Sequence, residues 1–172
     1  MLHPFFNHES RPHLIELLVL GIGSPFGDDQ LGWDVVKLLE QSPALQPMLP
    51  DRLALICCDR PGMHLLELMK PAQTVFLIDA VKTGAAIGTL HRFQNQDIET
   101  VGNALSTHGL GVAEAMKMGA ILNTLPPTVI LYGIEIGDNP LQFTLSKPIE
   151  EAVKALVSLL EQDILIYFGT QL

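Results

Sequence analysis

Apolar residues along this chain fall into short blocks separated by turns rich in Gly, Pro and Asp, and the blocks alternate between two periods. Leu14 to Leu20 is a nearly continuous apolar run, broken only by Glu16, of the length expected for a strand buried on both faces. The GIGSPFGDD segment is a turn that delivers the chain to a helix over 30–41, in which Leu31, Val35, Leu38 and Leu39 fall near helical spacing. Pro43, Pro47 and Pro50 end it. A second strand is predicted over 53–58, and a short helix over 62–69 with apolar Met63, Leu65, Leu66 and Leu68. The β-branched and aromatic run over 74–78 predicts a third strand.

The second half changes character. After a turn over 84–88, residues 89–93 alternate polar and apolar side chains, as an edge or antiparallel strand does. Residues 94–105 show no clear period and are predicted to be a polar connection, a length of loop that in compact domains often serves function. A helix over 108–122, a strand over 129–136 and a helix over 148–161 complete the chain, with Pro148 in the first turn, where its missing N–H costs nothing. Strands alternating with helices at this spacing predict right-handed βαβ units and an α/β fold with a mostly parallel sheet.

Composition narrows the setting. At 172 residues, 48% hydrophobic and 17% charged, residues 1–172 are expected to form a single domain with a substantial core, with 1–13 a mobile N-terminal extension. A formal net charge of -9 opposes binding to phosphate backbones, so nucleic acid is not expected as a partner. No segment has the length of a membrane span or the build of a secretory leader, and the expected location is the cytoplasm. The two cysteines, Cys57 and Cys58, are adjacent in an apolar segment. A bridge between neighbours would be strained and close no useful loop, so buried thiols are expected.

Candidate chemistry sits at the junctions between elements. An apolar strand such as 74–78 has no packing reason to finish in Asp79, and open α/β sheets bind their ligands just beyond the strand ends. Asp28 reads as the N-cap of the first helix. Asp29 reads equally as a first-turn carboxylate favoured by the helix dipole or as a ligand. His108 in LSTHGLG is an ordinary helix-start residue unless it meets the two carboxylates, in which case two carboxylates and an imidazole could hold one divalent metal. Gly21, Gly23 and Gly27 resemble a dinucleotide fingerprint only loosely, and Asp28 and Asp29 would repel the pyrophosphate of a nucleotide-dependent oxidoreductase. Neither Ser24 nor Ser106 lies in a nucleophile elbow. His64 and His91 lack a second ligand at helical or strand spacing and are expected on the surface.

Taken together, GIGSPFGDDQLG, FLIDAV, THGLG, LYGIEIG and the helix beginning near SKPIEEAV resemble, over roughly residues 14–162, the hydrogenase maturation endopeptidases. Those proteins trim the C-terminal tail from the large-subunit precursor of nickel-iron hydrogenases. The resemblance implies a three-layer sandwich and a metal-binding trio that falls on Asp29, Asp79 and His108, with these same residues serving the reaction. It also implies that nickel already placed in the precursor is recognised before cutting. The chain departs from the family where Asp59-Arg60-Pro61-Gly62 replaces a common Gly-Gly-Thr segment, and Gln30 and Ser24 stand where Gly and Asn are common. A nickel-sensing chaperone that inspects without cutting would use the same trio.

Overall fold

The computed structural model describes residues 14–101, 111–138 and 143–169. Five strands form one sheet: β1 (Ile15–Gly23), β2 (Leu53–Asp59), β3 (Ala72–Val81), β4 (Leu90–Gln94) and β5 (Thr128–Glu135). Their order is β2-β1-β3-β5-β4, all parallel except the antiparallel edge strand β4. Five helices connect or flank them: α1 (Leu31–Glu40), α2 (Leu65–Met69), α3 (Gln96–Thr100), α4 (Val112–Leu122) and α5 (Lys147–Gly169).

Alternation along the central strands explains the layers. In β1, Leu17 and Val19 face α1 and α5, while Leu18, Leu20 and Ile22 face α2 and α4. A strand covered on both sides needs apolar residues at every position, which is why this run shows no period of two. Val35, Val36 and Leu39 of α1 join Ile149, Val153, Leu156 and Leu160 of α5 in the first core. Leu65, Leu66, Met69, Ile98, Ala115 and Met116 build the second on the opposite face. The result is a helix–sheet–helix sandwich.

Several boundaries differ from the sequence-based expectation. β3 runs three residues beyond Ile78, because hydrogen bonding to β5 continues through Asp79↔Gly133 to Val81↔Glu135 after pairing with β1 has stopped at Gly21↔Ile78. Residues 96–100 form α3, with Ile98 buried, where a connection without periodicity was predicted; one buried apolar residue in a single turn leaves no readable period. α5 extends to Gly169 instead of ending near residue 161, since Ile164 and Phe168 continue its buried stripe. The residues ahead of Gly111 in the predicted helix over 108–122 lie outside the described residues.

Candidate active site

The chain leaves β1 for α1 on one face of the sheet, whereas the connection from β2 to β3 carries α2 on the other. β1 and β3 are neighbours whose connections diverge, so their carboxyl ends flank a topological switch point, where such sheets open a crevice. Past Gly21 the β1 strand stays paired with β2 as far as Gly23↔Asp59 and leaves β3. Asp79 is the first β3 residue in the gap. By strand alternation with Leu77 and Val81 its side chain lies on the α2 and α4 face.

Asp29 enters from the other side of the gap. It lies in a 3-10 turn, Gly27–Gln30, directly ahead of α1, and is 8% exposed. The Ser24 hydroxyl donates to Asp29 Oδ2 at 2.6 Å, and Ser24 N–H donates to the Asp29 carbonyl at 3.1 Å, closing the turn on itself. The turn comes this close to the strands because Gly21 and Gly32 have no Cβ. One on Gly21 would overlap the Gly32 carbonyl, and one on Gly32 would overlap the Ile22 carbonyl and lie 2.8 Å from that of Ile78. Gly21, the first glycine of the pattern that looks like a nucleotide fingerprint, is thus used for helix docking.

The charge of Asp29 is felt at Asp79. Burial, followed by the negative charge of Asp29, raises the proton affinity of Asp79 well above the ordinary carboxylate range, and the Ala80 N–H, donated to Asp79 Oδ1 at 2.9 Å, offsets part of that. A cation between them would relieve both costs, so this pair suits a divalent ion. His108, the imidazole of the expected trio, lies outside the described residues, as does Ser106. Among the described residues no group of three His, Cys, Asp or Glu side chains is arranged to hold a metal. α4 begins at Val112 and packs Val112, Ala115 and Met116 on the sheet face that carries Leu77 and Val81.

Other expectations need correction. Asp28 does not cap α1; its carboxylate reaches residue 146, accepting from Ser146 N–H at 2.6 Å and Ser146 Oγ–H at 2.9 Å. Asp28 lies inside the 3-10 turn, two residues ahead of the N-cap position at Gln30, whereas Ser146 directly precedes α5. Cys57 is exposed and Cys58 only part-buried, because β2 is an edge strand. Burial, then Asp79, Cys57 and Asp59, push the Cys58 thiol up to about 12, which keeps it protonated and unreactive. His91 is half-buried, with Nε2 3.0 Å from Glu135 Oε2.

Three residues near this edge were not singled out from sequence. Glu135, 2% exposed at the end of β5, accepts from Thr83 N–H, Thr83 Oγ1–H and Gly84 N–H at 2.8 to 2.9 Å, so it pins the turn that follows β3. Burial opposes its charge, but these donors outweigh burial and leave its carboxyl below the ordinary range. Phe26 and Phe143 are exposed beside the Asp29 turn, where Gln30 Nε2 donates to the carbonyls of Gly27 and Phe143 at 3.0 Å each. A groove of about 1030 Å³ at the opposite, amino-terminal edge, lined in part by Tyr132, Asp163 and Ile166, contains neither carboxylate of the crevice.

An open, mostly parallel α/β sheet with paired carboxylates at its switch point defines a class of compact ligand-binding and catalytic domains. Residues 35–163 match the hydrogenase maturation protease family, and the chain belongs to that family. It is similar to the hydrogenase expression/formation proteins HupD of Thiocapsa roseopersicina (26% identical over 123 residues, 70% of this chain and 54% of that protein) and HoxM of Azotobacter vinelandii (26% over 122 residues, 69% and 57%). The chain spans a little over half the length of these curated relatives. Its fold resembles the hydrogenase maturating endopeptidase HybD from E. coli, with TM-score 0.70 and 24% identity over 87% of this chain and 94% of that one. The solution structure of an endopeptidase from Escherichia coli aligns with TM-score 0.73 and 23% identity over 91% and 94%. No helix among the described residues is long and apolar enough to cross a membrane.

Proposed function

We propose that this chain is an endopeptidase that removes the C-terminal extension of a nickel-iron hydrogenase large-subunit precursor after nickel insertion. The observation that supports this reading is the raised proton affinity of Asp79 at the β1–β3 crevice, caused first by burial and then by the negative charge of Asp29. Asp29, Asp79 and His108 would hold a divalent ion, which when bound polarises a carbonyl and makes an attacking water more acidic. Family membership supports the substrate class. The chain's own residues prepare the site: Ser24 fixes the Asp29 carboxylate, Ala80 N–H orients Asp79, and Glu135 holds the turn behind them. Ser24 is 2% exposed and already donates to Asp29, so it is a support and not a nucleophile.

The same reading gives the protein a cytoplasmic location and no nucleic-acid or membrane partner, in keeping with its acidic charge. Because two carboxylates and one imidazole make an incomplete cage, the nickel carried by the precursor is expected to be shared at the moment of cutting. The test is incubation of the purified chain with metal-free and nickel-loaded precursor, with tail release read by mass. Cutting of the loaded form alone is expected. Equal cutting of both forms overturns the nickel requirement, and stable binding without cutting makes the protein a nickel-sensing chaperone.

A further inference from the structure

The residue that follows β2 is conformationally costly. Arg60 has φ 40°, in the left-handed region that residues with a Cβ avoid, although Gly62 shows that glycine is used two positions on for the same kind of backbone. Its N–H donates to the Gly23 carbonyl at 3.1 Å, so Arg60 is fastened to the turn in which Ser24 binds Asp29. The guanidinium is held as a fork on Asp59, Nε to Oδ1 at 2.6 Å and Nη2 to Oδ2 at 3.2 Å, which leaves the Nη1 protons for another acceptor. Both side chains are about half exposed, 52% and 50%. An exposed pair of chain neighbours adds little to stability, so the salt bridge does not account for the strain. Strain of this kind gathers at ligand-binding positions.

We propose that Arg60 is a substrate-binding residue: held at the rim of the β1–β3 crevice by Asp59 and by the Gly23 carbonyl, its guanidinium donates to backbone carbonyl oxygens of the peptide segment that crosses Asp29 and Asp79. The inference rests on the peptidase reading above and names the contact that reading lacks. Peptide carbonyls are the matching class because the guanidinium is a pure donor and the crevice beside it is acidic. Asp59 first, and more remotely Asp29, favour the charged form of Arg60, in keeping with a place beside the carboxylates.

Arg60→Gly separates binding from folding, because glycine takes φ 40° without strain while removing the guanidinium. Processing of nickel-loaded precursor should show KM raised about tenfold with kcat within about twofold, the loss of one charge-assisted hydrogen bond. The melting temperature of the variant should equal or exceed that of the parent. Arg60→Asn, which also tolerates left-handed backbone, should behave alike, and it decides the matter if the glycine variant fails to fold. Wild-type KM in both variants overturns the role of Arg60 and leaves the peptidase reading standing. If the parent does not cut the precursor, fluorescence anisotropy with labelled precursor decides: binding weakened about tenfold by Arg60→Gly upholds Arg60 while the peptidase reading falls, and equal binding or none overturns both.

Discussion

Asp79 shows what a single residue contributes here. Its carboxyl is raised in the folded state, so the folded protein binds a proton more readily than the unfolded chain between the ordinary carboxylate range and the raised value, and stability falls as pH rises through that window. Asp79→Asn removes the buried charge and keeps an acceptor for Ala80 N–H. Metal-free Asp79→Asn should therefore melt above the parent at pH 7, the gap closing by about pH 4, while processing of nickel-loaded precursor is lost. A variant that melts below the parent at neutral pH would contradict the account. Glu135 runs the opposite way, since its lowered carboxyl contributes stability above the ordinary range that is lost as pH falls through its folded value. Glu135→Gln should cost about 2 kcal/mol at pH 7 in urea unfolding, with the difference shrinking in acid. Asp79 was legible from sequence because a charge ends an apolar run. Glu135 was not, because its partners Thr83, Gly84 and His91 are brought to it only by the turn after β3 and the pairing of β4 with β5.

Among the elements, the approach of α1 to β1 and β3 governs whether Asp29 reaches the crevice. Gly32→Ala gains helix propensity but sets a methyl against the carbonyls of Ile22 and Ile78, and backbone cannot give way as a side chain tip can. We expect a net loss of about 3 kcal/mol and a fall in processing larger than the unfolded fraction explains, measured by urea titration beside the mass assay. The strand and helix order was readable because β1, β3 and β5 are buried on both faces and the helices keep an apolar stripe. The ends were less so. β3 continues past Ile78 on the strength of its pairing with β5 alone, and no local signal in Asp79-Ala80-Val81 announces a partner more than forty residues away. Asp28 looked like a cap for the same reason: capping is a local rule, and its true partner is Ser146.

At the scale of the whole molecule, the sheet separates two ends with different duties. The crevice and its carboxylates occupy the carboxyl edge, while the far end of α5 braces the amino edge: Ile164 is fully buried, Phe168 is 5% exposed beneath the Arg52 guanidinium, and Tyr167 Oη–H donates to the Glu16 carbonyl at 2.9 Å. Ending the chain after Asp163 should lower stability by more than about 4 kcal/mol through loss of Ile164 and Phe168, yet leave KM for the precursor unchanged in the molecules that remain folded. Calorimetry and steady-state kinetics on the shortened chain check the two halves of that statement. At the other end of the same helix, the contact between Asp28 and Ser146 joins residues 118 positions apart. A chain emerging from the ribosome presents the Asp29 turn early and the residue that clamps it late. The turn that carries Asp29 is therefore fastened at Asp28 only after 118 further residues have been added, so the crevice edge takes its final shape long after its first carboxylate has left the ribosome.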